Sequence, residues 1–411
     1  MYISVRNIPS GTGSRPAGRV AKTVVVLGMV SLLTDISTEI VTAVLPLFVT
    51  VGLGLPALAF GVLDSVYQAG TAAARVAGGY VADRSRRPKA VAVVGYGLGV
   101  ASKALLLPAA GVVALSAAIG VDRVGKGLRT GPRDALIAGC SEPGMLGRSF
   151  GVHRALDTLG AAIGPLAAFY LLMAMPGDFD AVFTVSLCVG GLGVLLLVSK
   201  VAEAPRAPRP ARITLAGAGR LLAGRRQVRR LLVAATALSA LTVSDAFLYL
   251  ALLDRGAVPA HLFPLLFLGT SVVYLAAAVP FGRLADRLGR RRVFVAGHVA
   301  VVAAYGVTGL AGGAAAVVVT LALLGLYYAA TDGVLPAATS VLVPAEWRAT
   351  AISALQTGVA LGRSLAALAF GGLWTLAGPS VALGTFAAGL AVVLLAVAPV
   401  LLRTRSEVSD A

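Results

Sequence analysis

Hydrophobic positions in this chain come in long unbroken stretches, each close to the roughly 20 residues needed to cross a bilayer core about 30 Å thick, with short polar connections between them. Twelve such stretches lie near residues 22–50, 57–81, 89–108, 110–136, 147–174, 180–200, 230–253, 261–282, 292–311, 314–338, 348–374 and 380–402. Between the sixth and seventh runs a basic, proline-rich segment containing APRAPRPAR. The pattern predicts an all-α membrane protein of two six-helix bundles, at residues 22–200 and 230–402. A linker at 201–229 joins them, and polar tails occupy 1–21 and 403–411. The tail before the first stretch carries Arg6, Arg15 and Arg19, and that stretch is too long for a signal-peptide core, so it reads as an uncleaved first helix.

Composition sharpens this reading. Of 411 residues, 58% are hydrophobic and 13% charged, and the mean hydropathy is +0.88, so lipid is the solvent in which such a chain can fold. The 49 glycines and 20 prolines, which would suggest disorder in a soluble protein, fit membrane helices that pack closely and bend. A net charge of +17 raises nucleic acid as a partner, but the basic residues sit in short loops without interleaved aromatics, which excludes that class. Cys140 and Cys188 have neither ligand spacing nor a pairing pattern and read as structural. The sequence has no nucleotide-binding loop, Ser/His/Asp set or metal-ligand cluster, which predicts a transporter without cofactor or metal instead of an enzyme.

Loop charge sets the expected orientation. Arg84, Arg86, Arg87 and Lys89, then Arg148, the linker arginines, and Arg283, Arg287 and Arg290 to Arg292 all fall on one side; the other side carries little beyond Arg255. The positive-inside rule then puts both termini and the linker in the cytoplasm of a plasma (inner) membrane protein. The two halves also repeat. Gly79, Ala82, Asp83, Arg84 and Arg87 after the second stretch return in register as Gly282, Ala285, Asp286, Arg287 and Arg290 after the eighth.

These segments resemble the loop motif G-x-L-a-D-r-x-G-r-k of the major facilitator superfamily, with Arg86 in place of the second glycine of the first copy. The segment from Arg123 to Gly127 resembles the R-x-x-q-G motif of the drug:proton antiporter branch, with Lys126 replacing glutamine. Gly160, Gly164 and Pro165 resemble its helix-5 motif G-x-x-x-G-P, although Ala168 and Phe169 replace the trailing glycines. DRVGKGLRTGPRDALIA and FGVHRALDTLGAAIGP are similar to a bacterial and archaeal subgroup whose substrates are largely unassigned. The resemblance implies a twelve-helix fold that acts as a single chain, a gate at Asp83 and Asp286, and export of a small molecule against protons.

Ionisable residues at membrane depth are costly and mark function by default. At about 1.5 Å of rise per residue, Asp35, Lys103, Asp122 and Arg123 fall roughly 20 Å from the cytoplasmic helix ends, with Asp245 and Arg363 at similar depth in the second half. Arg75, Arg129 and Arg154 fall at roughly 10 Å. The deeper layer is the expected solute and proton site and the shallower one the expected gate. Asp35 and Glu39 share a helix face and read either as a titrating pair with Arg123 as the nearby cation, or as a site where one carboxylate is held permanently neutralised by Arg123 or Lys103. Asp122 points about 100° from Arg123 and should serve another partner. Arg154 and Asp157 can pair at i,i+3, and His153 reads as interfacial. Tyr67, Gln68, Tyr249, Tyr327, Tyr328 and Gln356 are candidate cavity residues. The expected function is a proton-coupled exporter of a drug-like small molecule. The alternatives are a proton- or cation-coupled importer and, more remotely, a membrane sensor.

Overall fold

The computed structural model describes residues 21–84, 87–141, 146–202, 225–343 and 348–402, with 75–84 and 349–350 as backbone alone. Among these residues there are fourteen α-helices and no strand. The first bundle comprises α1 (Lys22–Leu47), extended by a π-turn at Phe48–Gly52, α2 (Ala57–Arg84), α3 (Pro88–Leu106), α4 (Val112–Cys140), α5 (Leu146–Ala174) and α6 (Phe179–Lys200). The second comprises α7 (Arg226–Ser239), α8 (Asp245–Asp254), α9 (Phe263–Leu288), α10 (Arg290–Leu310), α11 (Gly313–Thr331), α12 (Val334–Ser340), α13 (Arg348–Ala377) and α14 (Pro379–Leu402).

Helices dominate because only they satisfy their own backbone polar groups in lipid. Local signals set their starts: Pro88 opens α3, where its missing N–H costs nothing, and Asp178 caps α6 by accepting from Ala181 N at 2.9 Å. A helix or a helix pair stands at each of the twelve expected positions, and at two of them the helix is interrupted: position 7 is α7 plus α8, and position 10 is α11 plus α12. Helix α7 begins at Arg226, within the stretch expected to be linker. Nine of the described helical stretches are long and apolar enough to cross a membrane. Among the exceptions is α4, which carries Asp122, Arg123, Lys126, Arg129, Arg133 and Asp134.

The break in span 7 has a visible compensation. Residues 240–244 leave the helix, and Tyr305 of α10, buried, accepts from Val243 N at 2.9 Å and donates to Leu241 O at 3.1 Å. One hydroxyl thus replaces two lost backbone bonds. We expect Tyr305→Phe to cost about 1–3 kcal/mol, the penalty of an unsatisfied buried group, read as a lower melting temperature in detergent; an unchanged value would show that the break holds itself.

The bundles meet at the face where α2 begins and α13 ends, opposite the face where α1 begins and α14 ends. A Cβ on Gly61 would stand 2.5 Å from Ala367 O, so the two backbones touch as only glycine permits. Ser65 and Ser364 hydroxyls lie 2.7 Å apart, and Thr375 accepts from Leu58 N at 3.0 Å. Beside them an edge-to-face series runs from Phe60 of the first bundle through Phe247 and Phe370 to Phe386, with centroids 4.9 to 5.0 Å apart.

Candidate functional site

Between the bundles lies a cavity of about 250 Å³. Helices α1 to α4 contribute Thr38, Asp64, Tyr67, Gln68, Lys103, Asp122 and Arg123, and the second bundle contributes Ser244, Asp245, Phe267 and Tyr328. The break in span 7 matters here because it sets Asp245 in the first turn of half-helix α8, facing the cavity.

Two charged groups define this cavity. At one end Asp122 binds two cations: Lys103 Nζ lies 2.6 Å from its Oδ1, and Arg123 Nη2 contacts Oδ2. Arg123 stacks over Tyr67 at 4.0 Å and keeps its Nε without a partner, although the residue is only 3% exposed. At the other end Asp64 accepts from Gln68 Nε2 at 3.3 Å, and Asp245 accepts from the Tyr328 and Tyr249 hydroxyls at 2.8 and 3.4 Å. Arg363 stands behind both carboxylates; its Nη2 donates to Tyr327 OH at 2.9 Å.

From this cavity toward the face where α1 begins runs a ladder of acids on α1 and α5 opposite bases on α4. Helices α1 and α4 are antiparallel, so a four-residue step on one meets a similar step on the other. Glu39 is under the charges of Lys126 and Arg123. Asp35 Oδ1 lies 3.7 Å from Arg129 Nη2, and Arg129 stacks on Tyr96 at 4.5 Å. Asp157 Oδ1 accepts from Ser31 Oγ at 2.7 Å and stands 3.9 Å from Arg133 Nη1, which also pairs with Asp134. The carboxyls of Asp35 and Asp157 are within hydrogen-bonding reach of each other. Close packing of α5 on α1 makes this approach feasible: a Cβ on Gly160 would lie 2.6 Å from Leu32 O, and one on Gly164 2.5 Å from Glu39 Cβ. Pro165 follows, buried, inside α5.

The structure therefore joins most of the expected residues, with some partners exchanged. Asp35 faces Arg129, not Arg123 or Lys103. Asp122 does serve Lys103, but its side chain also turns back to its neighbour Arg123, because one carboxylate has two oxygens to offer. His153, in the second turn of α5, is buried, 3% exposed, with Nε2 unpartnered. Arg154 pairs with Asp157 at 3.3 Å as expected. Tyr67, Gln68 and Tyr328 line the cavity; Gln356 does not. In the repeated loop motif Asp286 pairs with Arg290 at 3.3 Å, and Arg290 donates to Ala337 O at 3.1 Å, tying α9, α10 and α12 together. Asp286, Arg287 and Arg290 border a second, arginine-rich cavity at that face, and Gly282 lies one turn earlier on α9. Arg87 precedes α3; Gly79 lies in the part of α2 described as backbone alone, and the side chains of Asp83 and Arg84 lie outside the described residues. Arg133 and Ser31 were missed by the sequence reading. The i,i+4 spacing of Arg129 and Arg133 was a signal for the former, whereas nothing local marks a serine that donates across 126 residues.

Two pseudo-symmetric helical bundles around a shared charged cavity define a secondary transporter. The profile of the Major Facilitator Superfamily matches residues 27–258 and 257–411, so the chain belongs to that superfamily and is a multi-pass membrane transporter, not an enzyme. It is 30% identical over 365 residues to an uncharacterized MFS-type transporter of Methanocaldococcus jannaschii, covering 86% of this chain and 89% of the relative. It is 34% identical over 194 residues, 47% of each chain, to an uncharacterized protein of Mycobacterium tuberculosis. Among solved structures it superposes on the nucleoside transporter NupG with a TM-score of 0.78 at 14% identity, covering 93% of this chain and 99% of the other. A bacterial homolog of the human lysosomal transporter Spinster matches at 0.67 and 16%, over 92% and 94%. At such identities the likeness concerns the fold.

Proposed function

We propose that this facilitator exports a small molecule in exchange for protons, by alternating access around the central cavity, as a single chain in the inner membrane with both termini cytoplasmic. The observation that carries the reading is the approach of Asp35 and Asp157 within the acid–base ladder. Two carboxyls in hydrogen-bonding reach can make that bond only when one holds a proton, since carboxylates are acceptors only. Arg129 and Arg133 stand ready as partners once the proton has left. Export as the direction is supported by the G-x-x-x-G-P element, whose two glycines bring α5 onto the helix that carries Asp35 and Glu39.

In everted vesicles with an acid interior, an added solute should discharge the pH gradient as protons leave and solute enters. Solute entry that leaves the gradient untouched, or net solute exit, would overturn proton-coupled export. The orientation has its own check: a reporter fused after Asp410 should be active only in the cytoplasm, and periplasmic activity would reverse the topology.

We read Asp83 and Asp286 as gate residues. They lie at helix ends away from the cavity, so Asp286→Asn and Asp83→Asn should slow transport by about tenfold or more while leaving solute affinity within about twofold, a difference under about 0.5 kcal/mol in binding. Equal losses of binding and transport would put the motif in the solute site.

A further inference from the structure

We propose that the central cavity is built for a small dipolar solute bearing both an ammonium and an acid group, the ammonium held between Asp64 and Asp245 and the acid group by Lys103 and Arg123. This rests on the cavity being the solute site of the transporter described above.

The charges at the two ends of the cavity are unequal in opposite senses. Around Asp122 and Glu39, two carboxylates face three cations, Lys103 and Arg123, buried at 4% and 3% exposure, and Lys126, so a positive charge is left over. Arg123 also has an unused Nε donor there. Asp64 and Asp245 share the single guanidinium of Arg363, which also lies under the charge of Asp332 and makes no ion pair within 4 Å among the described residues, so a negative charge is left over. Neither Asp64 nor Asp245 is within salt-bridge distance of a cation among the described residues; Asp64 accepts from the Gln68 amide and Asp245 from two phenols.

A buried charge without a partner is costly, and a solute carrying the complementary pair relieves both ends together. A solute with only one charge relieves one end and leaves the other. Asp64 and Tyr67, the ring under Arg123, lie three residues apart on α2, so the two ends are anchored on adjacent turns of one helix. That spacing suits ammonium and acid groups a few bonds apart, and the small volume excludes a large body. Phe60, Tyr67 and Phe267 offer flat apolar faces to a modest side chain. Because Asp64 belongs to the first bundle and Asp245 to the second, the ammonium bridges the two bodies that must move together when the cavity closes.

The test uses the purified full-length protein and matched probes: phenylalanine, its amide and its N-acetyl derivative; 4-aminobutyrate, butylamine and butyrate; phosphoethanolamine, ethanolamine and methyl phosphate. The expected result is that at least one dipolar probe raises the melting temperature with a saturable midpoint, while its ammonium-only and acid-only partners need at least about tenfold higher concentration. Asp64→Asn, Asp245→Asn and Lys103→Met should each raise that midpoint about tenfold or more. Gel filtration and the unliganded melting temperature show whether each variant folds, and the wild-type series decides the matter without them. Binding only of single-charge probes, or of no dipolar probe, would overturn the proposal. Binding is read without a gradient, so dipolar preference with no proton exchange would sink the exporter reading alone. Proton-coupled export of a simple amine would sink only this one.

Discussion

Asp35→Asn is expected to abolish solute accumulation driven by a pH gradient while leaving gradient-independent counterflow partly intact. An amide matches the carboxyl in size but cannot release a proton, so the variant can still rock between its two faces without carrying the coupling ion. The expected loss of driven accumulation is about a hundredfold, within the range that a positioned proton-transfer group contributes. Asp157→Asn should behave alike, because the two carboxyls approach each other between Arg129 and Arg133. Arg123→Ala should impair both driven transport and counterflow, since Arg123 lines the cavity that holds the solute. Full driven accumulation by Asp35→Asn would remove it as the carrier and turn attention to Glu39 and Asp157.

Asp122→Ala should be the most damaging substitution for folding. It leaves Lys103 and Arg123 buried beside each other without their shared counter-ion, and breaking a buried ion pair this way costs about 3–5 kcal/mol. The measurement is the yield of monodisperse protein and its melting temperature. Adding Lys103→Met to Asp122→Ala removes one of the stranded cations and should recover part of the loss, which a merely misfolded backbone would not. A variant as stable as the parent would mean that the two cations find their balance elsewhere.

How much of this was legible in the chain differs between the spans and the site. The order and approximate extent of the spans followed from apolar runs, because a bilayer demands length and apolarity of each span separately; the start of α7 at Arg226 and the breaks in spans 7 and 10 did not. Most charged site residues were also legible, since an ionisable side chain stands out against lipid-facing sequence. The break between Ser239 and Asp245 was not: LSALTVSDAF has no proline or glycine, and the helix opens there because Tyr305, some sixty residues away, accepts and donates the bonds it gives up. Depth from the cytoplasmic helix ends placed Asp35 level with Arg123, whereas it meets Arg129, six residues further along α4 and expected in the shallower layer; depth is also only one coordinate of three.

Pairing depends on the rotation of each helix about its axis, and that is set by packing. Gly160 and Gly164 seat α5 on α1 and so bring Asp157 to Asp35; the approach of α3 to α4 brings Lys103 to Asp122. The sequence by itself determined that the chain is built of membrane helices in two related halves and that most of its buried charge lies in the first half, because these are properties of single segments weighed against lipid. Only the tertiary structure decided which acid meets which base and where the cavity's unbalanced charges lie. A side chain's electrostatic partner is chosen by a few ångströms of interhelical distance, and no single helix encodes that distance.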